Sequence, residues 1–164
     1  MGIALAVAGC DRMKPGGRAP ELVFEDLQGK AVTLAAFRGR VVLMGFFATW
    51  APPCRLAMLT WARHQRTYGR KGLAVLGVAV HEDREVLERT FKAAPPGFTV
   101  GIATDAALKT WLGSVDMELP QAYLIDGAGR IHARYLGVFP GDAMTADIER
   151  AIAALPALKP QEGK

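Results

Sequence analysis

The stretch Phe46-Phe47-Ala48-Thr49-Trp50-Ala51-Pro52-Pro53-Cys54-Arg55 decides how the chain is read, because it joins a continuous apolar run to a helix opened by two prolines. Upstream, Arg40 to Phe47 (RVVLMGFF) shows no polar alternation, the pattern of a strand covered on both faces. Pro52-Pro53 suits a first helical turn, which needs no amide donor, and the spacing predicts a helix to about Tyr68 that stops at Gly69. Leu73 to Val80 (LAVLGVAV) predicts a second buried strand. Strand, helix and strand in that order make a βαβ unit, with parallel neighbours and a right-handed crossover.

Outward from this unit the signals are shorter. Glu21 to Phe24 and Val32 to Leu34 read as strands around the turn Asp26-Leu27-Gln28-Gly29-Lys30. Glu82 to Ala93 reads as a helix ending before Pro95-Pro96-Gly97, Phe98 to Ile102 as a short strand, and Asp105 to Leu112 as a short helix that Asp105 caps or begins. Ala122 to Asp126 and Arg130 to Tyr135 form a hairpin around Gly127-Ala128-Gly129, and Gly141 to Leu155 is a final amphipathic helix. The fold class is α/β: a mixed central sheet, helices on both faces and an N-terminal β-hairpin extension. One domain, 20–156, holds all of it, with 157–164 as a loose tail.

Of the 164 residues, 51% are hydrophobic and 22% charged, a balance that supports a packed core and excludes a disordered chain. The net charge of +4 is spread among acids. Its densest part, Arg63, His64, Arg66, Arg70 and Lys71, reads as a solvated helix face, so no nucleic-acid partner is expected.

Two cysteines, Cys10 and Cys54, give no disulfide framework. Gly2 to Gly9 is apolar or small and far shorter than the roughly 20 residues of a membrane span. Val7-Ala8-Gly9-Cys10 resembles a bacterial lipobox, in which the cysteine carries the lipid. No Lys or Arg precedes Cys10, so 1–10 is read as the tail of an export signal. Asp11 to Gly17 is polar and Gly/Pro-rich, and 11–19 is read as a tether. The expectation is an exported, membrane-anchored lipoprotein, periplasmic or otherwise outside the cytoplasm, facing an oxidising compartment.

Four segments in order resemble the TlpA/ResA-like branch of the thioredoxin superfamily, over nearly everything from Pro20 to about Ala154. They are Phe24 to Lys30 with Val32-Thr33-Leu34; Phe37-Arg38-Gly39 with Arg40 to Leu43; the motif stretch itself; and Leu119-Pro120 before Tyr123 to Asp126. The resemblance implies a thioredoxin-like fold and exported thiol–disulfide exchange on protein or peptide clients, with no cofactor. In that family the motif reads Trp-Cys-x-x-Cys at a helix start, where the dipole and free amides favour a thiolate at the first position. That thiolate attacks, and the second thiol resolves the mixed disulfide.

Here the first position is Ala51, and Cys54 falls on the resolving position. Without a second thiol beside it, Cys54 cannot close an intramolecular disulfide. Gly45 stands where the family has a polar residue beneath the motif, Phe47 where Trp is usual, and Ala57 and Leu59 where Glu and Pro are common. The resemblance places a cis peptide at Leu119-Pro120 and a peptide groove along Trp50, Ala51, Pro52, Pro53, Leu119 and Pro120. Two readings stay open: monothiol exchange through Cys54, or a binding module in which Cys54 is a small buried hydrophobe.

Other candidates carry less. His81-Glu82-Asp83 reads as a helix-capping cluster at a strand end. Glu118, beside the Pro120 loop, is an acid that would bear on a thiol. His64, His81 and His132 are too scattered for a metal set. A peroxidatic cysteine would have Thr three residues earlier, where Ala51 stands.

Overall fold

The computed structural model describes residues 13–113 and 118–156. The lipobox with Cys10 and the tail 157–164 lie outside the described residues. Seven strands run β1 (Val23–Asp26), β2 (Ala31–Thr33), β3 (Val41–Phe47), β4 (Leu73–Ala79), β5 (Thr99–Ala103), β6 (Gln121–Ile125) and β7 (Ile131–Leu136). Among the described residues the α-helices are α1 (Pro52–Tyr68), α2 (Arg84–Ala93), α3 (Asp105–Leu112) and α4 (Gly141–Ala153). This is the thioredoxin-like α/β order expected from the sequence. One sheet holds all seven strands in the order β2-β1-β5-β4-β3-β6-β7. β3, β4 and β5 are mutually parallel, and the other pairings are antiparallel.

Strand β3 lies at the heart of the sheet and is buried at every residue, as its unbroken apolar run requires. Its side chains alternate between two cores. Val41, Leu43 and Phe47 face the layer of α1, α2 and α4; Val42, Met44 and Phe46 face α3 and the 34–37 turn. Local side-chain bonds fix two of the element ends. The β1–β2 turn, for example, is closed by the Asp26 carboxylate, which accepts from the amides of Gln28 (2.9 Å) and Lys30 (2.8 Å). Asp26 can therefore end β1 and organise the turn at once. For α3, Thr104 supplies the cap, accepting from Ala107 N, and Asp105 begins the first turn.

The stretch read as a tether is described from Met13 onward. Gly16 N donates to Ile131 O (2.7 Å), Ile131 N to Gly17 O (2.8 Å) and Ala19 N to Gly129 O (3.0 Å), so this segment runs along the start of β7. It covers part of what would be an open sheet edge.

Helix α1 sets Cys54, Ala57, Trp61, His64 and Tyr68 on one inward face, at the three-and-four spacing of a buried stripe. His64 is the unusual member. It is buried beside the Tyr68 ring, and its Nε2 has no hydrogen-bond partner among the described residues. Burial, with Arg63 alongside, pushes its pKa below the ordinary 6.5. The unfolded chain therefore takes up a proton near that pH which the folded chain refuses. Stability is complete above it and falls as the pH drops below it. Urea midpoints measured between about pH 7 and 5 should show this acid-side decline, and His64→Leu should flatten it.

Candidate functional site

The ends of three strands meet at one edge of the fold. β3 and β4 run parallel with Phe47 opposite Ala79, and antiparallel β6 begins with Gln121 opposite Phe46. The loop after β3, the loop after β4 and the Leu119-Pro120 loop before β6 therefore share the same end, where α/β sheets place their sites.

The motif fills the first of these loops. Ala51 is the N-cap of α1, extended at φ −90° and ψ 111°, with no side-chain cap bond, and Pro52 and Pro53 follow in the first turn. Trp50 stands 64% exposed, Pro52 and Pro53 are exposed, and Ala51 is only 8% exposed. Cys54 is wholly buried. Its place on the inward stripe of α1 points the thiol at the core, where Ala48 N donates to Sγ at 3.4 Å. Burial pushes the thiol pKa up, the nearby Glu82 carboxylate raises it further, and the Ala48 amide pulls the other way. The net direction is up, so Cys54 is a neutral thiol at pH 7 and a poor nucleophile.

Beneath the thiol, Gly45 makes room for a ring. A Cβ built on Gly45 would lie 2.4 Å from Trp61 Cζ3, so the indole occupies the space a strand side chain would take. The polar residue that the family resemblance puts at Gly45 is thus replaced by a fully apolar contact. The sequence alone marked Gly45 as a departure and gave no sign of its partner, which lies sixteen positions away in the next element.

Glu82 is the residue at this end whose contacts the sequence reading did not foresee. Helix α2 starts at Arg84, and Asp83 occupies its N-cap, as a capping cluster requires, but without a side-chain cap bond, and Glu82 lies outside the helix. Glu82 turns instead toward the motif, where its carboxylate accepts from Thr49 N and from Thr49 Oγ1, the latter at 2.6 Å. His81, at φ +51°, makes the left-handed turn that redirects the chain. Glu118 is exposed and is not among the groups acting on Cys54, so the acid of this site is Glu82. The usable signal was Glu82's position just past the end of a central strand.

The Leu119-Pro120 peptide is cis, as expected. Gly137 N donates to Pro120 O at 2.8 Å and ties the loop to β7. Leu119 is half-buried and packs on both cores, and Pro120 is buried. Thus Trp50, Pro52 and Pro53 stay open at this end, while Ala51, Cys54 and Pro120 are covered. Leu56, Leu59, Val138 and Phe139 are further exposed apolar groups. Among the described residues no group of three or more His, Cys, Asp or Glu could hold a metal.

Fold and site together define a thioredoxin-fold domain whose helix-start motif, strand ends and cis-proline loop are those of a thiol–disulfide exchange scaffold. Residues 14–152 match the Redoxin family, and the chain belongs to it, in the TlpA/ResA-like group of thiol–disulfide oxidoreductases. The thiol-disulfide oxidoreductase ResA of Bacillus subtilis is 28% identical over 76% of this chain and 68% of its own length. That of Geobacillus kaustophilus is 29% identical over 85% of this chain and 77% of its own. Among solved structures, a thiol:disulfide interchange protein of the thioredoxin family from Chlorobium tepidum superposes with a TM-score of 0.74. It is 25% identical over 85% of this chain and 97% of its own.

The Gly45–Trp61 contact yields a direct test. Gly45→Ser should cost roughly 1–3 kcal/mol by overpacking. In a Trp61→Leu background the same change should cost clearly less, a coupling that a double-mutant cycle in urea would measure.

Proposed function

We propose that this domain is a peptide- or protein-binding member of the thiol–disulfide oxidoreductase family, using the groove between the Trp50-to-Pro53 segment and the Leu119-Pro120 loop. The observation that carries this reading is the state of Cys54: fully buried, its thiol pKa raised, with Ala51 at the position where an attacking cysteine would stand. Thiol exchange begins with a thiolate in reach of a disulfide, and Cys54 offers neither charge nor access. What stays open is an apolar edge around Trp50, Pro52 and Pro53, beside a cis-proline loop. Such an edge suits an extended client chain, held by backbone bonds and shallow side-chain pockets.

The deciding measurement is the alkylation rate of Cys54 against pH, in a soluble form that starts after Cys10. Reaction only on denaturation is the expected result. A fast reaction with a midpoint below the ~8.5 of a free thiol would instead establish monothiol exchange through Cys54. As a control on the scaffold, Ala51→Cys should gain a reversible intramolecular disulfide, read as the loss of two hydrogens by mass.

The export reading belongs to the same proposal. Val7-Ala8-Gly9-Cys10 supports lipidation at Cys10. Met13 packs on the core, Gly17 N donates to Lys14 O and Gly16 N to Ile131 O, so the chain is already seated on the domain three residues after Cys10. An anchor at Cys10 would therefore hold the domain close to the membrane surface. Fatty-acid labelling of the full chain in cells should mark the protein, and Cys10→Ala should abolish the label.

A further inference from the structure

We propose that the cleft between α1 and α2, which shares Trp50 with the groove of the proposed function but is lined by neither Leu119 nor Pro120, is a second docking surface that takes an acidic amphipathic helix from a partner protein. The cleft encloses about 620 Å³. Phe91, Met58 and Ala62 lie along it, and Pro95 and Pro96 close one side. Leu59 projects at its rim, 66% exposed, an apolar side chain for which the fold itself has no use.

Charge gives the cleft its direction. Arg55, Leu59, Ala62 and Arg66 follow the spacing four, three, four, which sets them in one line on α1. The two arginines stand eleven residues apart, about 16 Å along the helix axis. Neither guanidinium has a hydrogen bond or ion pair among the described residues, and no carboxylate lines the cleft. The first turn of α1 also lacks an acid, so nothing there offsets the charge of Arg55. An apolar trough with an unanswered cation toward each end calls for an apolar ligand with an anion toward each end.

The walls decide the ligand's form. Along the cleft the backbone N–H groups of α1 and α2 are spent within their own helices, and Pro95 and Pro96 have no N–H to give. An extended peptide would find little to pair with there. A helix satisfies its own backbone and can lay one apolar face between two others. About three turns would bring its acids to both arginines. Segments 1–12 and 157–164 hold one acid each, Asp11 and Glu162, and so cannot answer both arginines.

The test uses fluorescence anisotropy with a capped, labelled helical peptide that carries two leucines between two glutamates, at i, i+4, i+7 and i+11. A second peptide replaces the glutamates with glutamines. The glutamate peptide should bind saturably. Exchange to glutamine, and each of Arg55→Gln and Arg66→Gln, should weaken binding roughly two- to fivefold, with the double variant weaker still. Added salt should weaken the glutamate peptide and leave the glutamine one little changed. No saturable binding up to millimolar peptide, or equal binding of the two peptides, would overturn the proposal. So would binding lost in Leu119→Ser with the arginine variants silent, which assigns the peptide to the Pro120 groove. A concentration-dependent dimer that Arg66→Gln dissociates would overturn it too, since a second copy would then be the occupant.

Discussion

The seating of Trp61 on Gly45 sets the height of α1 above the sheet, and the site hangs from that helix. A glycine in the middle of a central strand lets the indole lie against the backbone, so a large apolar area is buried in one contact. One and two turns further along, His64 and Tyr68 continue the stripe, with Tyr68 bonded to Glu149 of α4 at 2.6 Å. Toward the N-terminus, Ala57 and Cys54 complete it. A helix held this closely cannot lift its first turn without uncovering Trp61, so the burial of Cys54 follows from packing two turns away.

The same end of the fold is held from the other side by Glu82. Its carboxylate is shared between the amide and hydroxyl of Thr49, which fixes the loop from β3 into α1. That arrangement has an electrostatic consequence: a negative charge placed to secure the loop also disfavours a thiolate nearby. In a dithiol enzyme those two demands would conflict. Here they point the same way, toward a firmly held loop over a neutral thiol.

Much of this was legible in the sequence, for reasons that can be stated residue by residue. The buried strands announced themselves as unbroken apolar runs, the helix start as Pro52-Pro53, and the cis peptide as Leu119-Pro120 in its family setting. Two features of the site were not legible. Gly45 and Trp61 depend on a tertiary contact between elements, and periodicity within either element is silent about it. Glu82 has the spacing of a helix-start acid, and only the left-handed turn at His81 diverts it to Thr49. Local patterns report which face a residue occupies; they do not report which distant group it meets.

That limit bears on why positions 51 and 54 differ so sharply in what they contribute. Ala51 makes no side-chain cap bond and adds only a single methyl to the edge of the core cluster that Cys54 shares. Cys54 belongs to the core, packed in the same cluster as Leu43, Phe47 and Trp61. Removing its sulfur would leave a void under the helix start, with a cost set by how far α1 can settle. Because Trp61 holds α1 in place, that settling is restricted. The packing role of Cys54 therefore stands independently of redox chemistry, and a buried thiol at this position is accounted for without any reaction.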